Sequence, residues 1–175
     1  MQRIDALGTA ELLRKFVLRL AAASAAGTAV ELAMLRHWRG LDQLIPWAML
    51  GIASVAIALV MRRPTRGVLK AARIVGTVVA LTALVGVYEH VAANYHDGAR
   101  SRATAAAWAT MSEPARWLAA VDGSAGQAPP VAPGVLAQVG VLLFFATVGH
   151  PARERAVGTG EPAARTRRTL AASAG

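Results

Sequence analysis

The chain has 175 residues, 55% of them hydrophobic, with no cysteine and a formal net charge of +9. That apolar content exceeds the ordinary soluble range and fits neither a disordered chain nor a small disulfide-rich secreted one; without cysteine there is no thiolate metal ligand and no thiol nucleophile. The positive residues stand in clumps between apolar segments instead of forming a stripe on a soluble surface, so the charge does not point to nucleic acid.

Four apolar segments are predicted to span a bilayer. Together they make an all-α, four-helix transmembrane domain over residues 1–150, followed by a basic, disordered tail over 151–175. The first span covers about 17–36 and admits Arg19 and Glu31. Thr9 and Glu11 are expected to cap a helix that runs on into the membrane, with Leu12, Leu13 and Phe16 on its apolar side. Its long basic start and unbroken continuation through Ala33, Met34 and Leu35 argue against a cleaved signal peptide.

The second span, about 44–61, is the cleanest: the nineteen residues from Gln43 to Met61 carry no charge. At ~1.5 Å per residue, such a run matches the roughly 30 Å hydrocarbon core of a bilayer. The short connection from His37 to Asp42 makes the first two spans an antiparallel hairpin. Asp42 is the expected N-cap, and Trp47 falls at the level of the lipid interface.

The third span, about 74–93, follows a basic stretch with Arg62, Arg63, Arg66, Lys70 and Arg73. The connection from Asp97 to Pro130 contains two stretches of helical composition. They are read as short interfacial helices, the second started by Ser112 and both anchored by tryptophans, Trp108 and Trp117. The fourth span, about 131–150, stops at Gly149, His150 and Pro151. Pairs of small residues four apart, such as Ala21/Ala25, Ala22/Ala26 and Gly76/Ala80, allow the helices to pack closely; whether some of these faces serve a homo-oligomer or a membrane partner protein is left open.

Orientation follows from the flanks. The N-terminal region, the second connection and the tail hold fourteen Lys and Arg residues, against five on the other side. Both termini are therefore expected in the cytoplasm, and the arginine-rich usage with only two lysines suggests a bacterial plasma membrane. Arg62, Arg63 and Arg66, with Arg165, Arg167 and Arg168 of the tail, are expected to favour anionic lipid headgroups.

On this topology the polar groups within the spans gather in the outer leaflet half. Glu31, Glu89, His90 and Gln138 are read as a polar pocket near the extracytoplasmic face, because an ionisable group at mid-membrane costs roughly 2.5–3.5 kcal/mol and needs a partner. The leading reading is a small accessory or interaction protein of the membrane. A second is a redox protein that binds a divalent metal or haem through Glu31, Glu89 and His90, with His37 and His96 as further ligands, a mixed nitrogen and oxygen set. A third is a carrier for a proton-coupled small solute. Against all three stands a purely structural role, in which the same groups form an internal network that fixes helix register. No phosphate loop, H-E-x-x-H or nucleophile-elbow motif occurs.

Overall fold

The computed structural model describes residues 2–151, with side chains from residue 8 onward. All of its regular elements are helical apart from turns: α1 (Gln2–Met34), α2 (Leu41–Arg62), α3 (Arg66–Arg100), α4 (Ala105–Thr110), α5 (Glu113–Val121) and α6 (Val131–Ala146). Three helices are long and apolar enough to cross a membrane: Gly8–Met34 of α1, α2 and α3. The tail arginines Arg165, Arg167 and Arg168 lie outside the described residues.

Several boundaries differ from the sequence reading. α1 passes through Thr9 without interruption, so Thr9 is an interior residue and not a cap. α2 starts two residues early, with Gly40 at the N-cap, which leaves Asp42 inside the first turn where a carboxylate still favours the helix dipole. α3 begins far earlier than position 74, because the Thr65 side-chain oxygen accepts a hydrogen bond from the Val68 N–H at 3.3 Å. Arg66, Lys70 and Arg73 therefore ride on the first turns of α3, and its 35 residues, about 52 Å, continue to Arg100.

α6 is shorter than expected. Its 16 residues give about 24 Å, less than the bilayer core, because the chain turns at Thr147 and Gly149 takes a φ of 59°. The expected 20-residue span to His150 is thus four residues too long.

Packing follows a spacing of three and four residues on every long helix. The buried positions are Leu18, Ala21, Ala25, Thr28 and Leu32 on α1, and Leu50, Ala53, Ile57 and Val60 on α2. On α3 they are Leu69, Ala72, Gly76, Val79 and Ala83, and on α6 Ala132, Leu136, Val139, Leu143 and Ala146. A narrow stripe of this period suits shallow crossing angles, as in bundles and coiled coils. α6 sits against all three long helices and most extensively against α3. The two meet at glycines: a Cβ on Gly76 would lie 2.7 Å from the Gly140 carbonyl oxygen, and one on Gly140 2.6 Å from the Ala80 nitrogen. Only glycine at both positions permits that approach.

The outside of the bundle is apolar as well. Val30, Val55, Ile74, Leu81, Val85 and Phe145 are all more than half exposed. Large apolar side chains therefore face outward as well as inward, where leucine and valine alternate with alanine and glycine along the buried stripes.

Candidate functional site

The register between helices is set by two arginines. Arg73 of α3 donates from Nε to the Thr147 hydroxyl at 3.2 Å and from Nη2 to the Thr147 carbonyl at 3.1 Å, and its guanidinium lies over the Phe144 ring. Arg14 of α1 donates to the Ala146 carbonyl at 3.1 Å and the Gly149 carbonyl at 3.2 Å, and pairs with Glu11. Carbonyls at a helix end lack intrahelical donors, and cations suit the negative end of the dipole, so the two arginines close the C-terminus of α6. Neither role is visible from local sequence: the partners are 74 and more than 130 residues away.

Both α1 and α3 run antiparallel to α6 from this level. Gly76 meets Gly140, and Gly86 faces Pro133. Glu31, seventeen residues beyond Arg14, and Glu89, sixteen beyond Arg73, come level with the N-terminus of α6, which is 16 residues long. Arg14 and Arg73 thus lie at the opposite end of the bundle from Glu31, Glu89 and His90.

At that far end, the expected pocket residues are only partly brought together. His90 continues the buried stripe of α3, half-buried, and its Nδ1 is enclosed without a hydrogen-bond partner. His37, on the turn after α1, and Glu89 are the ionisable groups that act on it electrostatically. Glu31 is half-buried beside the α1 stripe. Glu89, His96 and Gln138, however, are exposed, because each lies off the buried stripe of its helix; Gln138 stands beside Val139 and Gly140, which take the inward positions of α6. No group of three or more His, Asp or Glu among the described residues could hold a metal ion, so Glu31, Glu89, His90, His37 and His96 are not assembled into a ligand set. The apolar grooves that flank α2, of about 600 and 440 Å³, lie elsewhere.

The tightest polar construction is one that sequence reasoning missed. Asn94, fully buried, donates through Nδ2 to the carbonyls of Ala120 (3.0 Å) and Ala128 (2.9 Å) and accepts from the Ala128 N–H (2.9 Å). It thereby ties the connection after α5 to α3. Gly126 packs so closely on Asn94 that a side chain there would collide with it.

One turn further along α3, Trp108 lies flat against Gly98 and is 6% exposed, so it is a core residue and not a lipid anchor. Tyr95 lies between Trp108, which it meets edge to face at a centroid distance of 5.1 Å, and Trp117, against which it packs at a tilt at 4.5 Å. Its hydroxyl donates to Glu113 at 2.7 Å, and Trp117 Nε1 donates to the same oxygen at 3.2 Å. Arg116 joins them, bonded to the Trp108 carbonyl and paired with Glu113 at 3.5 Å. α4 and α5 are therefore clamped as a cap onto the end of α3. At the end of α5, the Ser124 side chain and its N–H, which donates to the Asp122 carboxylate at 2.9 Å, hold that carboxyl below the usual value.

No family model matches the chain, and neither a curated protein nor a solved structure shows significant similarity to it.

Proposed function

We propose that the chain is a small integral membrane protein with an accessory or interaction role, its four apolar helices inserted in a bacterial plasma membrane and its basic end in the cytoplasm. The observation that carries this reading is the exposure of large apolar side chains on α1, α2, α3 and α6, around an interior in which leucine and valine alternate with alanine and glycine. α6 counts as the fourth inserted helix although it is short, because Arg14 and Arg73 cap its polar end and local thinning or flanking residues absorb a mismatch of a few ångströms. α4 and α5 cover the opposite end at the membrane surface. There Glu31, Glu89, His37 and His90 form a rim that a partner protein can contact.

Two experiments bear on this. Membranes washed with alkaline carbonate are expected to retain the protein, and purification in mild detergent is expected to yield a stoichiometric second polypeptide that Glu31→Gln with Glu89→Gln weakens. A protein released by carbonate, or one that purifies alone, contradicts the reading. The enclosed, unpartnered Nδ1 of His90 near His37 favours a second reading, a two-histidine haem or metal pair. Elemental analysis and an absorption spectrum decide it: bound metal or a Soret band lost in His90→Ala supports the pair.

A further inference from the structure

The groove of about 600 Å³ between α2 and α3 is lined by Gly51, Val55 and Leu59 on one side and Gly67, Ala71 and Val75 on the other, without a charged residue. Measured along the helices, from Ala48 to Leu59 and from Gly67 to Val75, it extends roughly 12–16 Å, which is about half of a 30 Å hydrocarbon core. It thus reaches through one leaflet. Its mouth lies where α2 turns into α3: Arg62, the last residue of α2, is three residues beyond Leu59 on the same side of the helix, Arg63 is the C-cap, and Arg66 immediately precedes Gly67. Arg62 and Arg63 are exposed. An apolar slot one leaflet deep with arginines at its rim is complementary to one occupant, an acyl chain carrying an anionic headgroup.

We propose that this groove binds a single anionic phospholipid, with an acyl chain between α2 and α3 and the phosphate on Arg62, Arg63 and Arg66. The assignment rests on the membrane reading above, and it makes the basic turn a specific lipid site in place of a general attraction to the surface. Guanidinium groups suit it, since each can take two phosphate oxygens at once.

Native mass spectrometry of detergent-purified protein titrated with phosphatidylglycerol or phosphatidylcholine tests it. The wild type is expected to hold one phosphatidylglycerol and to bind phosphatidylcholine at least tenfold more weakly. Gly67 has open space where a side chain would go, so Gly67→Leu fills the groove without disturbing the fold and is expected to abolish that single adduct. Arg62→Gln with Arg63→Gln leaves the slot open and is expected to weaken phosphatidylglycerol about thirtyfold, with phosphatidylcholine unchanged. Equal binding of the two lipids overturns the proposal, as does an adduct that survives Gly67→Leu. A dimer in the wild type that Gly67→Leu dissolves also overturns it and makes the groove an interface between copies. Failure of the membrane reading shows separately, as protein that stays monodisperse without detergent.

Discussion

Asn94 carries two donors and an acceptor into a fully buried site, and all three are used. Replacing it with alanine leaves two carbonyls and one N–H without partners, at a cost of about 2–3 kcal/mol. Asn94→Gln is expected to fare no better, because Gly126 leaves no room for the extra methylene. Thermal unfolding in detergent micelles checks both, and a Gln variant as stable as the wild type contradicts the geometry. Asp122 gives a pH-dependent prediction. Its folded value lies below the ordinary one, so its bond to Ser124 is fully present above the unfolded value near 3.9 and is lost as pH falls through the lower folded value. The Ser124 amide resonance is expected to titrate with a midpoint below about 3.9; a midpoint at or above that contradicts the assignment.

Among the helices, what could be read in advance was whatever depends on neighbours a few residues away. The apolar lengths of α1, α2 and α3, the two short helices before residue 130 and the gathering of acidic groups toward one end all follow from local composition. The ends of α3 and α6 do not. α3 outruns its apolar stretch because Asn94 bonds to carbonyls 26 and 34 residues later and Gly98 packs on Trp108 of α4, and α6 stops early where two distant arginines take up its carbonyls. The exposure of Glu89 and His96 has a related cause: the two lie seven residues apart on one face of α3, but which face turns inward is decided by Gly76, Val79 and Ala83 packing on α6. Two substitutions test this account of the elements. Gly140→Leu is expected to force α3 from α6 and prevent assembly, while Gly67→Ala, in open space, is expected to stabilise α3 by about 0.5–1 kcal/mol. Loss of both arginine caps, Arg14→Ala with Arg73→Ala, is expected to cost about 2–4 kcal/mol in the same unfolding assay and to increase protease access at the end of α6. If the double variant unfolds as the wild type does, the caps are incidental.

For the molecule as a whole, the decisive property is which solvent surrounds it. Leucine, isoleucine and valine side chains line the outside along most of α1, α2 and α3. They face water only at great cost, and between the ends of the bundle they form a band bounded by arginines at one end and by Glu31, Glu89 and the α4–α5 cap at the other. Because the chain has no cysteine, single cysteines placed at Arg66→Cys and Asp97→Cys report the two ends separately. Labelling of intact cells with a membrane-impermeant maleimide is the most direct measurement: the account predicts modification of the cysteine at position 97 in intact cells and of the one at position 66 only after lysis. Modification of both in intact cells, or the reverse pattern, would contradict it.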